Sequence, residues 1–165
     1  SMEISKETFL RKNSKPLKNK AVLFCTGLDK YWEYGTHSGS KFAYFFNPFL
    51  SSELADYLVE QEVLLVGSDS LQLECPLFNI SHEDDLSNMP ELIEMLEQNS
   101  RPYAQRLIHS IFLEQSICLV ENLKGLDRLL PGPAFFVAAP LKLAHPRTVD
   151  NSPTRAFAMI QKNRG

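Results

Sequence analysis

The sequence lacks most of the features that assign a protein to a specialised class. It has three cysteines, Cys25, Cys75 and Cys118, and no C-x-x-C pair, so neither a zinc finger nor a disulfide scaffold is indicated. No apolar run approaches membrane-spanning length, and no charged-then-apolar leader opens the chain. Internal repeats and low-complexity tracts are also missing, which argues against solenoid and fibrous architectures.

The charge balance is equally unremarkable. A formal net charge of −3 gives no electrostatic reason to expect a nucleic-acid partner, and the basic residues form no long run beyond KNSKPLKNK at 12–20. The odd cysteine count and the lack of a targeting signal predict a reduced, cytoplasmic compartment and no membrane partner. Ser1 before Met2 is typical of a tag-cleavage scar, which leaves open whether Met2 is a natural start or a cut in a longer protein.

What the sequence does contain is typical of one α/β domain. A hydrophobic content of 44% over 165 residues suffices for a single sizeable core. Apolar runs alternate with amphipathic helical patterns, which predicts a single compact domain over 1–165 with a mixed sheet and flanking helices. Residues 1–20 are polar and lysine-rich; a short helix over Ile4 to Leu10 is possible, but without strong periodicity we interpret the segment as a lead-in. The predicted strands lie near 21–26, 62–69, 116–121, 134–143 and 155–161, and the predicted helices near 52–61, 90–98 and 103–114.

The stretch that organises this prediction is HSIFLEQSICLVENL, residues 109–123. The helix predicted over 103–114 has a broad apolar stripe with His109 at its edge. Residues 117–120 form a continuous apolar run, as expected of a strand covered on both faces. Glu121 follows at the C-terminal end of that strand, where open α/β sheets place their chemistry. Imidazole and carboxylate are good ligands for zinc or manganese, although such a pair is more often structural.

Several motifs occur in the order found in one enzyme family. They are Thr26-Gly27 with Asp29, Lys30, Tyr31 and Trp32, LLVGSDS at 64–70, His109, Glu121-Asn122-Leu123, Pro140-Leu141-Lys142, and Ser152-Pro153 with Arg155. These residues resemble the cyclase family of metal-dependent hydrolases, which includes bacterial kynurenine formamidase. The resemblance implies the fold of the C-terminal part of those enzymes, with residues 72–102 as an insertion. It also implies hydrolysis of an amide or formamide bond, with His109 and Glu121 as ligands of the second of two zinc or manganese ions.

The motif that holds the first metal in that family is missing. It reads H-x-G-T-H-x-D-x-P-x-H and should lie upstream of Thr26, where this chain has no histidine. Gly35, Thr36 and His37 echo the motif but fail at its other positions and in its place in the order. Because catalytic zinc normally takes three protein ligands, we predict that this chain binds metal weakly and is a weak catalyst or inactive alone.

Other residues are candidates for supporting roles. Tyr31 and Trp32 could stack on a planar substrate, although ordinary packing is the alternative. His82 with the acids at 83–85 could bind a metal, and a solvated acidic turn is the alternative. FAYFFNPF at 42–49 is either a buried elbow or a subunit interface. Asp69, at the end of a predicted strand, is expected to cap a turn.

Two classes of function therefore stay open. The chain is either a hydrolase whose other half lies in another segment or in a complementary N-terminal chain, or a non-catalytic binding module that keeps the scaffold. A hydrolase would act on a small molecule, and an incomplete sheet edge favours a homo-oligomer. The sequence encoded upstream of Met2 would distinguish the two, because the missing histidine motif either is or is not there.

Overall fold

The computed structural model describes residues 2–34, 47–75, 107–129, 134–143 and 151–160, without the side chains of residues 32–34. In chain order the elements are β1 (Glu3–Ile4), α1 (Lys6–Lys12), β2 (Ala21–Phe24), a 3₁₀ helix (Leu28–Tyr34), β3 (Phe49–Leu50), α2 (Ser52–Glu60), β4 (Leu65–Ser68), α3 (Ile108–Leu113), β5 (Cys118–Val120), a second 3₁₀ helix (Leu126–Leu129), β6 (Phe135–Pro140) and β7 (Thr154–Met159). The α/β class predicted from the sequence is confirmed.

A three-stranded parallel sheet in the order β2–β4–β5 forms the centre of the fold. Its register pairs Val22 with Val66, and Val66 with Leu119. Parallel neighbours need crossover connections, and here α2 lies on the path from β2 to β4 and α3 on the path from β4 to β5. All three strands run the same way, so Phe24, Ser68 and Val120 end at the same edge of the sheet.

The core lies between this sheet and the helices. Ser51 caps α2 by accepting a hydrogen bond from the Leu54 amide, and the buried face of α2 follows at helical spacing. Helix α3 contributes a second buried face beside it. The buried residues of the two helices are Leu54, Ala55, Leu58, Ile108, Ile111 and Phe112. Val66 of the central strand is buried in the same cluster, so the two crossovers cover the sheet with one continuous apolar layer.

The N-terminal residues take part in this core. Strand β1 pairs with β3 in parallel, and Ser5 caps α1 by accepting a hydrogen bond from the Thr8 amide. Phe9 is buried, and its ring centroid lies 5.9 Å from that of Phe24. The segment interpreted from sequence as a lead-in therefore supplies a strand, a helix and a core aromatic, a role that its polar, lysine-rich composition does not reveal.

A separate antiparallel ribbon of β6 and β7 follows in the chain, with Val137 paired to Phe157. Phe135, Phe157 and Met159 are exposed on it. Parallel and antiparallel pairings are thus both present, although the strands of the described ranges divide between three small sheets.

The prediction for residues 103–114 needs correction at its start. Leu107 has φ −57° and ψ 129°, which is not helical, so α3 begins at Ile108. Residues 103–106 and the helix predicted over 90–98 lie outside the described residues. Within the described residues, no helix combines the length and apolar character needed to cross a membrane.

The strand predicted over 116–121 is present as β5, but it is not covered on both faces. In the sheet that the described residues form, β5 is one of the two edge strands; Cys118 is exposed, and Leu119 and Val120 are half-buried. An apolar run in an edge strand has the same appearance in sequence as one in a central strand. Ile117, just before the strand, is the residue of this run that is buried.

Candidate functional site

The C-terminal edge of the parallel sheet is held together by one buried carboxylate. Asp69 follows β4, and its Oδ1 accepts hydrogen bonds from the Thr26 amide at 2.8 Å and the Thr26 hydroxyl at 2.7 Å. Its Oδ2 accepts one from the Gly27 amide at 2.7 Å. Gly27 has φ +82°, a conformation that favours glycine. Asp69 therefore caps the turn after β2, as predicted, and ties the ends of two strands together.

Glu121 stands at the same edge, immediately after β5. The next residue, Asn122, has φ +58°, a left-handed conformation that asparagine tolerates. Its backbone N–H donates to the Ser70 carbonyl at 3.0 Å. The Leu73 amide donates to Glu121 Oε1 at 2.8 Å. The loop that follows β4 therefore fixes both the backbone beside Glu121 and its side chain.

His109 lies in the first turn of α3, and a second glutamate holds it there. Oε1 of Glu74 accepts hydrogen bonds from the His109 amide at 2.7 Å and from His109 Nδ1 at 2.8 Å. Oε2 of Glu74 accepts one from the Ile108 amide at 2.9 Å. The side chain of Glu74 is only 7% exposed. This carboxylate therefore both caps the N-terminus of α3 and fixes the orientation of the histidine ring.

The other ring nitrogen of His109 faces Glu121. Nε2 lies 3.5 Å from Glu121 Oε1, so the structure brings together the two side chains singled out in the sequence. Hydrogen bonds to Glu121 and Glu74 raise the pKa of His109 to about 10, although burial opposes the rise. Burial raises the pKa of Glu74, but the hydrogen bonds from the His109 ring and from the His109 and Ile108 amides outweigh it, and this pKa lies below its ordinary value.

Glu74 is the residue that the sequence analysis missed. The signal emerges only when α3 is known to begin at Ile108, because Leu107 is then the N-cap and makes no side-chain capping bond. Serine, threonine, aspartate or asparagine normally occupies that position. A helix with leucine at its N-cap leaves its first amides to a residue distant in sequence, and an acid is well suited to accept from them.

The remaining candidates from the sequence are not drawn into this site by the described residues. Tyr31 is exposed on the 3₁₀ helix Leu28–Tyr34, and the side chain of Trp32 is not described. Its role in substrate binding, like that of Tyr31, stays a prediction. His82, the acids at 83–85 and most of the aromatic segment at 42–49 lie outside the described residues. Of that segment, residues 47–49 are described; Asn47 and Phe49 are buried and Pro48 is half-buried.

His109 and Glu121 fit the first coordination sphere of a divalent metal. A metal-bound histidine usually donates its other ring N–H to a carboxylate, and Glu74 accepts from Nδ1 in that way. Nε2 and the Glu121 carboxylate then supply nitrogen and oxygen donors at one point. Within the described ranges no group of three or more histidine, cysteine, aspartate or glutamate side chains is arranged to hold a metal ion. The pair is therefore at most part of a site, and its metal ligation stays a prediction.

Comparison with known proteins found a family match over part of the chain. Residues 3–75 match the model of a protein family described as "Putative cyclase". This segment includes the Thr26-Gly27 turn, Asp69 and Glu74, and ends before His109 and Glu121. No curated protein matches the sequence significantly.

Two solved structures resemble the fold. One is a potential metal-dependent hydrolase with cyclase activity, with a TM-score of 0.55 and 22% identity over 96% of this chain and 58% of that one. The other is a predicted metal-dependent hydrolase from Bacillus stearothermophilus, with a TM-score of 0.57 and 22% identity over 96% of this chain and 57% of that one. At this identity the likeness concerns the fold. The chain spans less than two thirds of the length of either protein.

Proposed function

We propose that this chain is part of a cyclase-family metal-dependent hydrolase, in which His109 and Glu121 bind a divalent metal. The observation that carries the proposal is the 3.5 Å approach of His109 Nε2 to Glu121 Oε1 at the C-terminal edge of the sheet. The family match over residues 3–75 and the likeness to two hydrolase folds over 96% of the chain also support it. Zinc and manganese are the metals that this donor pair suits.

Each residue of the pair has a defined task in such an enzyme. When bound, the metal would lower the pKa of a coordinated water and polarise the carbonyl of the substrate. Glu74 keeps the Nδ1 proton in place, so a metal would take the place of the proton on Nε2 and use that nitrogen as its donor atom. The Leu73 amide orients the Glu121 carboxylate. The substrate that we propose is an amide or formamide of a small molecule, as in the enzymes related to kynurenine formamidase, and Tyr31 and Trp32 are the candidates for contacting it.

We further propose that the chain corresponds to the C-terminal part of such an enzyme and is a weak catalyst or inactive alone. The missing histidine motif and the coverage of 58% and 57% of the similar structures support this view. The residues that complete the metal centre would come from an additional segment or a complementary chain. Zinc with only two protein ligands is held weakly, and we expect negligible hydrolysis of an aryl formamide by this chain.

The alternative is a binding or interaction module that keeps the scaffold without the reaction. One observation favours it, namely that the described residues contain no group of three suitable ligands. The sequence encoded upstream of Met2 distinguishes the two functions. An in-frame or adjacent H-x-G-T-H-x-D-x-P-x-H supports the hydrolase, whereas a genuine start codon without such a partner supports the module.

Titration calorimetry tests the metal site. Zinc and manganese should each bind the unmodified chain weakly, and the binding should be lost in His109→Ala. His82→Ala is the matched control and should leave the binding unchanged, since His82 is the rival candidate in the sequence. Binding that survives His109→Ala but not His82→Ala would move the metal site to the acidic segment and contradict the proposal.

We also propose that the chain self-associates. The ribbon of β6 and β7 exposes Phe135, Phe157 and Met159, and its two strands pair only with each other within the described part of the chain. Two-stranded ribbons gain stability when they are covered, and a second copy would do so. Light scattering over a range of concentrations should show a mass above that of one chain, and a strict monomer at high concentration would contradict self-association.

A further inference from the structure

We propose that Glu74 is a positioning residue of the candidate metal centre, which holds the His109 ring by Nδ1 so that Nε2 is presented beside Glu121. This inference rests on the proposed function and adds a third residue to the site. Glu74 would not touch the metal. It would determine how tightly His109 binds one.

The hydrogen bonds of this carboxylate restrain both the backbone and the ring of His109. Oε1 of Glu74 accepts from both the backbone amide and the Nδ1 of His109, at 2.7 and 2.8 Å. A single oxygen that bonds both ends of one residue restrains the rotation of the ring about both of its side-chain torsions. Oε2 accepts from the Ile108 amide at 2.9 Å, which prevents the carboxylate itself from turning. The ring therefore has little freedom to move Nε2 away from Glu121.

Capping the helix does not by itself account for a buried glutamate at this place. Burial of a carboxylate is costly unless it is fully hydrogen-bonded, and Glu74, backbone and side chain together, is 5% exposed. A serine or aspartate at the N-cap position would accept from the His109 or Ser110 amide locally and at the surface, yet that position holds Leu107, which is 46% exposed. What a cap at 107 cannot provide is the bond to Nδ1. The ring bond is thus the distinct contribution of Glu74.

The chemistry of metal-bound histidine explains why that bond matters. A metal binds Nε2 in place of the proton that this nitrogen carries towards Glu121, and the neutral ring that results keeps its other proton on Nδ1, on the bond to Glu74. A neutral ring with its proton on Nε2 instead would have no lone pair to offer at that nitrogen. Loss of such a supporting carboxylate typically lowers metal affinity about 10–100-fold. The carboxylate of Glu74 therefore favours the tautomer that can bind.

The two roles of Glu74 can be separated with a substitute cap. Leu107→Ser should provide a local N-cap for α3, so it serves as the background for the remaining variants. In that background Glu74→Met removes both acceptor oxygens at similar volume. Glu74→Gln keeps one oxygen, and its amide group must face either the Ile108 amide or the two His109 donors. Each variant is first checked for folding by circular dichroism and thermal melting.

Two readouts report on the histidine rather than on the helix. The first is the ring Nδ1 proton of His109 in metal-free protein, observed by ¹⁵N NMR. We expect it to exchange slowly with water in the unmodified chain and in Leu107→Ser, and to lose this protection when Glu74→Met is added. The second is zinc affinity by calorimetry, which should fall about 10–100-fold on the same step. In Leu107→Ser with Glu74→Gln, proton exchange should become faster and affinity should fall by a smaller factor.

The results distinguish the inference from the proposed function. If the folded variant with Leu107→Ser and Glu74→Met keeps a protected Nδ1 proton, or binds zinc as Leu107→Ser does, the positioning role of Glu74 is overturned while the metal site stands. If that variant does not fold, the Glu74→Gln variant decides, and unchanged exchange and affinity there would overturn the role. If zinc binds the unmodified chain and His109→Ala equally, or binds neither, the proposed function fails, and the ring proton still tests the position of His109.

Discussion

Substitution of Asp69 by asparagine should weaken the edge of the sheet where the candidate site lies. Asp69 is completely buried, and its two oxygens accept three hydrogen bonds from Thr26 and Gly27. Asparagine has nearly the same shape but only one acceptor oxygen. If that oxygen takes the place of Oδ1, both bonds from Thr26 survive. The side-chain NH₂ group then faces the backbone N–H of Gly27, and since both are donors, no hydrogen bond forms there. The opposite orientation leaves the Thr26 amide unsatisfied instead.

The cost follows from the number of bonds lost. A hydrogen bond to a charged group contributes about 1.5–3 kcal/mol, and an unsatisfied buried donor costs a similar amount. Thr26 and Gly27 are half-buried, so water can replace part of the loss and the lower end of the range applies. We expect Asp69→Asn to lower the free energy of unfolding by about 2 kcal/mol. Asp69→Ala, which removes all three bonds, should cost roughly twice as much.

Thermal melting tests this expectation. For a chain of this size, 2 kcal/mol corresponds to a fall in Tm of about 4–8 °C. Asp29→Asn is the matched control, because Asp29 is also buried but accepts one bond from the residues that the structure describes, from the Gly125 amide at 2.8 Å, which an asparagine oxygen can keep. The control should shift Tm by much less. If Asp69→Asn melts no lower than Asp29→Asn, the claim that Asp69 ties the two strand ends together is wrong.

Three further predictions concern the core and the histidine. Gly67→Ala should lower stability by about 1–3 kcal/mol in urea unfolding, because the new Cβ would lie 2.7 Å from Leu23 Cδ2 and 3.0 Å from Leu123 Cδ1. Phe112→Ala should cost about 3–5 kcal/mol in the same assay, since the ring is fully buried. In the presence of a metal chelator, the free energy of unfolding should decrease as the pH rises from about 6.5 towards 10. The folded state keeps the His109 proton up to about pH 10, whereas the unfolded chain loses it near 6.5. The stabilisation from the protonated histidine is therefore complete below pH 6.5 and is lost as the pH rises to the folded-state pKa. His109→Gln should flatten the decrease, and an equal slope in both proteins would count against the ion pair.

Much of the fold could be predicted from the sequence because its signals are local. The apolar runs around Val22, Val66 and Leu119 are all strands of one parallel sheet. Ser51 marks the start of α2 through a cap that can be identified from residue type alone. Such patterns depend on residues a few positions apart in the chain, and they can therefore be identified directly in the sequence.

The rest depends on contacts between distant residues. Whether an apolar strand lies at the centre or the edge of a sheet is decided by its neighbours, which is why the exposure of Cys118 was not foreseen. Glu74 and His109 are 35 residues apart, and no periodic pattern connects them. The role of Phe9 likewise depends on Phe24 and Tyr57, its ring partners in the fold. Composition could not reveal these pairings.

The hydrogen bonds from the start of α3 to Glu74 also determine where the chain can change in length. Ile108 and Glu74 are bonded directly across a separation of 34 residues, so the position of the helix does not depend on how many residues join the two anchors. Replacing the residues between 75 and 107 by a segment of another length is therefore expected to leave the start of α3 where Glu74 holds it. Segments of different length or origin could be exchanged there while His109 and Glu121 keep their spacing.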